Sequence, residues 1–71
     1  MPKNLSSRDV AWILNQIGIQ LARRGKEDIF EGEYGGRNRV VVVPLPQGTL
    51  SSIWRQAGIN RNIAEQVWNR R

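Results

Sequence analysis

The stretch Gly48-Thr49-Leu50-Ser51-Ser52-Ile53-Trp54-Arg55-Gln56-Ala57-Gly58 decides the fold of this chain. Its apolar residues stand at positions 50, 53, 54 and 57, and this i, i+3, i+4, i+7 spacing places them along one side of a helix. Gly58 is predicted to end the helix in the left-handed conformation. The opposite face carries polar side chains that can contact an anionic partner, namely Ser51, Ser52, Arg55 and Gln56. We therefore predict a short core helix with a polar, partly cationic outer face.

Length and composition predict one small domain without a redox or metal centre. The chain has 71 residues, near the lower limit for a self-sufficient hydrophobic core. We expect a single domain over residues 1–71, with a core over about 6–60 and a terminal helix over about 61–70. Cysteine and histidine are both absent, which removes disulfides, thiolate ligands and the commonest acid/base side chain. No cofactor and no metal site are predicted.

The charge balance of the chain is basic. Eleven lysine and arginine residues stand against six aspartate and glutamate residues, for a formal net charge of +5, and nine of the eleven are arginine. The planar guanidinium suits phosphate, so this balance favours a nucleic-acid partner over a merely solvated surface. The longest apolar run, 40–44, is too short to cross a bilayer, and the N-terminus lacks an apolar signal segment. We expect no membrane association and a cytoplasmic location.

A further helix is predicted near the N-terminus. Ser6 can act as its N-cap, Asp9 at N3 completes a capping box, and Gly18 ends the helix. Trp12 falls opposite the apolar stripe of this helix. An indole in that position is covered by a neighbouring segment, stacks on a base, or fills a pocket of a partner.

Three strands are predicted to follow this helix. The alternation of apolar and polar residues predicts strands over 19–24, 27–34 and 40–43. Gly35-Gly36 is a hairpin signal between the second and third strands. Glu31 and Glu33 are expected to pair across this hairpin with Arg37 and Arg39.

The remaining segments complete the predicted fold. Pro44-Leu45-Pro46 is expected to end the third strand and lead into the helix of 48–58, and Asn60 or Asn62 can cap a final short helix. The order is α-β-β-β-α with an extra C-terminal helix, which predicts an α+β fold with a three-stranded antiparallel sheet and helices on one face. The same order occurs in double-stranded-RNA-binding domains, which recognise RNA shape, 2′-hydroxyl groups and phosphate.

The turn between the first two predicted strands is a candidate RNA contact. Arg23-Arg24-Gly25-Lys26 places three cations around a glycine. Such a turn can bring backbone N–H groups and cations to one phosphate, although most basic turns are only solvated.

Several segments of the chain resemble the HicA family, the small RNA-cleaving toxins of HicA–HicB toxin–antitoxin systems. Gly48-Thr49-Leu50-x-Ser52-Ile53-x-Arg55-Gln56-Ala57-Gly58 is very similar to the C-terminal helix signature of that family. Val42-Val43-Pro44 with the following Leu45-Pro46-Gln47-Gly48 resembles the preceding strand and its lead-in. The opening helix that ends at Gly18 also fits, so the resemblance covers about residues 6–60.

The resemblance implies a metal-independent endoribonuclease that cleaves mRNA and is neutralised by a HicB-like antitoxin, with which it can form a hetero-oligomer. Members of the family carry a Gly-Ser-His or Gly-Asp-His turn, whose histidine is regarded as catalytic. In this chain the turn reads Arg24-Gly25-Lys26-Glu27-Asp28, with Glu27 in the histidine position, and the connection from Pro44 to Gly48 is several residues shorter. The candidate RNA contacts are Arg23, Arg24, Lys26, Arg37, Arg39 and Arg55.

Glu27 is the candidate catalytic residue. Cleavage through the adjacent 2′-hydroxyl requires a base, and a carboxylate that is ionised at neutral pH can take that role while an arginine stabilises the phosphorane. In the alternative hypothesis, Glu27 is only a surface residue, and the chain is a catalytically inactive module that binds RNA or an antitoxin. Two further hypotheses are a protein-interaction domain anchored by exposed tryptophans and a metal-dependent nuclease. The ligands of the latter would come from Glu27, Asp28, Glu31 and Glu33.

Overall fold

The computed structural model describes residues 1–2, 4–43 and 50–71. These residues form, in order, α1 (Ser7–Gln16), β1 (Gln20–Arg23), β2 (Asp28–Tyr34), β3 (Arg37–Val43), α2 (Leu50–Ala57) and α3 (Arg61–Trp68). The strands make one antiparallel sheet in the order β1-β2-β3. The predicted α+β class, the three-stranded antiparallel sheet and the extra C-terminal helix are confirmed. None of the helices in these ranges is long and apolar enough to cross a membrane.

Both ends of α1 are set by local sequence, as predicted. Ser6 Oγ accepts a hydrogen bond from the backbone N–H of Asp9 (3.1 Å), and Asp9 Oδ2 accepts one from the N–H of Ser6 (3.2 Å), which completes the capping box. At the other end Gly18 has a φ of +89°, and the N–H of Ile19 donates to the carbonyl of Leu14 at 2.9 Å. This Schellman motif turns the chain from α1 into β1.

The β2–β3 hairpin has a two-residue turn. Gly35 and Gly36 have φ values of +66° and +81°, as a type I′ turn requires, and Tyr34 pairs directly with Arg37. Because the turn is this tight, β3 begins at Arg37 and not at the predicted Val40.

The register of the hairpin corrects the predicted ion pairs. The cross-strand pairs are Glu31–Val40, Gly32–Arg39, Glu33–Asn38 and Tyr34–Arg37. Directly paired residues share a face of the sheet, so the two glutamates lie on one face and the two arginines on the other. The predicted pairing of Glu31 and Glu33 with Arg37 and Arg39 is wrong, because side chains alternate between faces and each arginine stands one position out of phase.

The hydrophobic core lies between one face of the sheet and the helices. The buried side chains among the described residues are Val10, Ile13, Leu14, Ile19, Phe30, Val41, Val43, Ile53, Trp54, Ala57, Ile59, Ala64 and Val67. Three of the four predicted apolar positions of α2 are buried, with Trp54 the largest fully buried residue, and Leu50 packs against the cluster. The apolar stripe predicted for α2 is therefore confirmed.

α2 also covers the free edge of β3. The backbone N–H of Val42 donates to Gln56 Oε1 at 3.2 Å, and Gln56 Nε2 donates to the carbonyl of Ser52 at 3.4 Å. An edge strand leaves N–H groups unpaired, and Gln56 satisfies one of them. Gln56 is half-buried and does not belong to the outward-facing polar set predicted from the sequence.

α3 begins at Asn60, one of the two predicted caps. The side-chain oxygen of Asn60 accepts a hydrogen bond from the N–H of Ile63 at 2.9 Å. Asn62 lies inside the helix, and Glu65 pairs with Arg61 at 3.5 Å. The choice between the two asparagines is settled in favour of Asn60.

An aromatic cluster joins α3 to α1. Trp12 and Trp68 meet edge to face, with ring centroids 6.4 Å apart and ring planes at 86°. The guanidinium carbon of Arg71 lies 5.0 Å from the ring centre of Trp12 and 4.4 Å from that of Trp68. Arg71 Nη1 also donates to Asp9 Oδ1 at 3.0 Å; this hydrogen bond and the one from the Ser6 N–H hold the pKa of Asp9 below its ordinary value. Trp12 is thus covered by a neighbouring segment of the chain, which is one of the three environments predicted for its indole.

Candidate functional site

The β1–β2 turn is an exposed basic segment at one end of the sheet. It joins Arg23, the last residue of β1, to Asp28, the first residue of β2. The four predicted site residues in this region are Arg23, Arg24, Lys26 and Glu27, and all four are exposed. The structure therefore brings the candidate base and half of the candidate RNA contacts to one accessible edge.

A β-bulge at the end of β1 separates the two arginines of this segment. Leu21 pairs with Phe30 and Arg23 pairs with Ile29, so β1 carries one extra residue. Arg23 consequently lies on the outer face of the sheet with Ile29, whereas Arg24 lines a groove beside α1. Positive charge is presented on both sides of this end of the sheet.

Glu27 directly follows Lys26 in the chain and has no orienting partner among the described residues. It forms no ion pair or side-chain hydrogen bond with any described residue. Three cations and the two carboxylates of Glu27 and Asp28 give the segment 23–28 a net charge of +1. A free carboxylate beside cations can take a proton from a hydroxyl group, and the cations reduce its repulsion of a phosphate.

The other predicted RNA contacts lie on β3 and α2. Arg37 opens β3 next to the hairpin turn, and Arg55 is in the last turn of α2. β2 runs between the two turns over seven residues, which is about 20 Å at ~3.4 Å per residue. The six cations form two groups: one is Arg23, Arg24 and Lys26 at the β1–β2 turn, and the other is Arg37 and Arg39 of β3 with Arg55 of α2.

Arg39 in the second group is engaged by the fold itself. Its Nε donates to the carbonyl of Tyr34 at 3.0 Å, and its guanidinium lies against the backbone of Gly58, where an added Cβ would come 2.5 Å from Arg39 Cζ. Arg39 is half-buried, whereas Arg37 and Arg55 are exposed. The guanidinium of Arg39 therefore links the hairpin to the end of α2. Arg37 and Arg55 are the two residues of this group that are accessible to a partner.

A groove of about 690 Å³ opens between α1 and β1, directly beside the β1–β2 turn. We call it the α1–β1 groove; its lining includes Arg8, Ala11 and Asn15 of α1, Leu21 and Arg24, and Asp28. The sequence-based site did not include Arg8, which lines this groove together with Arg24. The sequence shows that Arg8, Ala11 and Asn15, at i, i+3 and i+7, share one side of α1, but not that this side borders the β1–β2 turn.

The outer face of the sheet is apolar and acidic. Val40 is 46 % exposed, and Ile29 and Val42 beside it are half-buried. Glu31 and Glu33 are exposed on the same face and stand between the two basic groups along β2. An RNA strand is therefore repelled along this face and is attracted to the basic ends of the sheet.

The acidic residues considered as metal ligands do not converge. Asp28 pairs with Val43 on the helix-covered face, opposite to the face of Glu31 and Glu33. Across residues 1–2, 4–43 and 50–71, no group of three or more His, Cys, Asp or Glu side chains is placed to hold a metal ion.

The HicA-like helix signature is only partly described by the structure. Its apolar members Ile53 and Ala57 are buried in α2, and Gly58 follows that helix with a φ of +81°. The predicted features of Pro44-Leu45-Pro46, Gln47 and Gly48-Thr49 lie outside the described residues. Comparison of the chain with protein-family models, curated proteins and solved structures found no significant match.

Proposed function

We propose that this protein binds RNA at the β1–β2 turn and cleaves it there as a metal-independent endoribonuclease of the HicA type. The observation that carries the proposal is the exposed segment at the β1–β2 turn that holds Arg23, Arg24 and Lys26 next to Glu27 in the chain. Three cations in one turn attract a phosphodiester and offset its repulsion by the carboxylate. The α-β-β-β-α order of the first five elements, which double-stranded-RNA-binding domains share, supports RNA as the ligand.

Glu27 is the base in the proposed reaction. Its carboxylate takes the proton of a 2′-hydroxyl, O2′ attacks the adjacent phosphorus, and the bond from phosphorus to the 5′-oxygen breaks. The 5′-oxygen leaves with a proton from water, and the hydroxide so formed takes the proton back from the Glu27 carboxylic acid. The products are a 2′,3′-cyclic phosphate and a 5′-hydroxyl end. The guanidinium of Arg24 stabilises the negative charge that accumulates on the phosphorane oxygens.

The resemblance to HicA toxins supports mRNA in the cytoplasm as the substrate and a HicB-like antitoxin as the protein partner. The basic turn is the surface that such an antitoxin covers, because covering it excludes the substrate. An antitoxin that binds there must carry acidic groups to match Arg23, Arg24 and Lys26.

The test is cleavage of end-labelled RNA by purified protein in the presence of a metal chelator. The parent chain is expected to cut, and Glu27→Gln is expected to lose cutting by at least about 100-fold, as for removal of a general base. Glu33→Gln is the matched control, because it removes an exposed carboxylate from the outer face of the sheet and should cut like the parent. Equal cutting by Glu27→Gln and the parent would remove Glu27 from the mechanism.

A catalytically inactive RNA-binding module is the second candidate. The observation that favours it is that no described side chain orients Glu27, whereas a general base is ordinarily held by a third group. In this case the parent binds RNA with a strong salt dependence but does not cut it. Glu27→His, which supplies an imidazole at the same position, then gains cutting activity.

A further inference from the structure

We infer that the α1–β1 groove holds one base of the bound RNA strand and that Arg8 is a phosphate contact at its rim. This inference rests on the proposed function and extends the RNA site from the β1–β2 turn to α1. The groove adjoins the turn through Arg24 and Asp28, which line it, and Asp28 directly follows Glu27. A base held here lies against Asp28, one residue along the chain from the candidate base Glu27.

The groove offers an apolar surface of the size a base requires. Leu21 is 40 % exposed although it lies on the helix-covered side of the sheet, where its paired neighbour Phe30 is only 4 % exposed. Ala11 lines the opposite wall from α1. An apolar side chain left open inside a groove is a contact surface for a ligand with an apolar face, and a base has two such faces.

Polar groups on the floor and walls suit the edge of a base. The side-chain amide of Asn15 can both donate and accept a hydrogen bond, and the carboxylate of Asp28 accepts from exocyclic amino groups. Asp28 also distinguishes between classes of occupant. RNA places a base against this floor, whereas an acidic protein segment would place a carboxylate near Asp28 and be repelled.

Positive charge flanks the groove on both walls. Arg8 stands on α1 and Arg24 on the β1–β2 turn, both are exposed, and neither forms an ion pair with a described residue. A strand whose base enters the groove carries a phosphate on each side of that base, so the two arginines can each contact one phosphate. Arg8 of α1 is therefore assigned to the same RNA site as the β1–β2 turn.

The experiment is a nuclear magnetic resonance titration of the full, isotope-labelled chain with a single-stranded RNA octanucleotide that carries 2′-O-methyl groups to prevent cleavage. The largest amide shifts are expected at Ala11, Asn15 and Leu21. Arg8→Ala is expected to weaken binding about five-fold and to reduce the salt dependence by about one released counterion, without changing the folded spectrum. Arg70→Ala, which removes an exposed arginine from the residues after α3, is the matched control and should bind like the parent.

The possible outcomes separate this inference from the proposed function. One outcome is that the parent binds RNA and that Arg24→Ala weakens binding but Arg8→Ala does not. The assignment of the groove as a base site is then wrong, and the turn remains the RNA site. If the parent binds no RNA, both proposals fail. If an octaglutamate peptide shifts the groove amides and the RNA does not, the groove takes an acidic protein segment and the nucleotide assignment is overturned.

Discussion

The backbone of Gly32 in β2 runs directly against the carbonyl group of Gly18, the residue that links α1 to β1. A Cβ carbon added to Gly32 would overlap the Gly18 oxygen and lie 2.7 Å from the Cα of Ile19. These are backbone atoms, so they cannot rotate away as a flexible side chain would. Ile19, which lies between Gly18 and β1, is completely buried.

Gly32→Ala is therefore expected to lower the free energy of unfolding by about 3 kcal/mol, the upper part of the usual range for overpacking. Urea denaturation followed by circular dichroism measures this change. Gly25→Ala is the control: Gly25 has no positive φ, and its nearest neighbour to an added Cβ is 3.8 Å away, so a change of at most about 0.5 kcal/mol is expected. Equal stability of Gly32→Ala and the parent would contradict the observed approach of β2 to Gly18.

Gln56→Ala is expected to destabilise the protein by about 1–2 kcal/mol, because the N–H of Val42 loses the acceptor it has in Gln56 Oε1. Hydrogen exchange at the Val42 amide should quicken in the variant by more than global destabilisation explains. Gln66→Ala makes the same change at an exposed position of α3 and should leave stability nearly unaltered. Unchanged exchange at Val42 would show that Gln56 does not hold the edge of β3.

Trp12 and Trp68 are expected to be energetically coupled. A double-mutant cycle of Trp12→Leu and Trp68→Leu should give a coupling of about 1 kcal/mol, the value typical of an edge-to-face aromatic pair. The leucines keep much of the apolar surface, so the coupling reports the ring contact together with the contacts of both rings with Arg71. Additive effects of the two substitutions would indicate that α3 is held to α1 by other contacts.

Asp9 is expected to make stability depend on acid pH. Its pKa in the folded protein is lowered from the ordinary 3.8, chiefly by the hydrogen bond from Arg71 and then by that from the Ser6 N–H. A lowered pKa means that the stabilising contribution is present above the unfolded value and is lost as the pH falls through the folded one. The Tm difference between the parent and Asp9→Asn should be largest at neutral pH and shrink below about pH 4.

The control for this pH dependence is Glu33→Gln, which neutralises an exposed carboxylate without touching the capping box. Its Tm should follow that of the parent across the acid range. If Asp9→Asn keeps the full acid dependence of the parent, another carboxyl group is responsible for it.

Arg39→Ala is expected to cost about 1–2 kcal/mol of folding free energy, because a charged donor is lost at the Tyr34 carbonyl and a half-buried contact with Gly58 disappears. Arg37→Ala, at an exposed position on the same strand face, should change stability by at most about 0.5 kcal/mol. The comparison by urea denaturation assigns Arg39 a structural role. Equal stability of the two variants would show that Arg39 has no structural role and is as available to a partner as Arg37.

The candidate site was only partly predictable. The cations of the β1–β2 turn are neighbours in the sequence, so their grouping with Glu27 could be predicted from the order of residues alone. Arg8 could not be added to them, because its distance from Arg24 depends on how α1 docks on the sheet. For the same reason the sequence could not show which of the six candidate contacts, five arginines and one lysine, converge.

The sequence by itself determined the features that depend on interactions within a few residues. The Ser6–Asp9 capping box, the left-handed Gly18 and Gly58, and the Gly35-Gly36 turn all follow from hydrogen bonds and φ preferences that act over one turn of chain. The buried stripe of α2 follows in the same way from helical periodicity.

Only the tertiary structure decided which side chains meet across elements. The sequence predicted an outward-facing Gln56, whereas in the structure its side chain accepts the hydrogen bond of the Val42 N–H. The structure also places Arg39 against Gly58. These outcomes depend on strand register and helix docking, where a shift of one residue moves a side chain to the opposite face. The Gly35-Gly36 turn fixes the β2–β3 register locally, but docking of the helices is set by packing of the whole core, and no local pattern in the sequence carries that information.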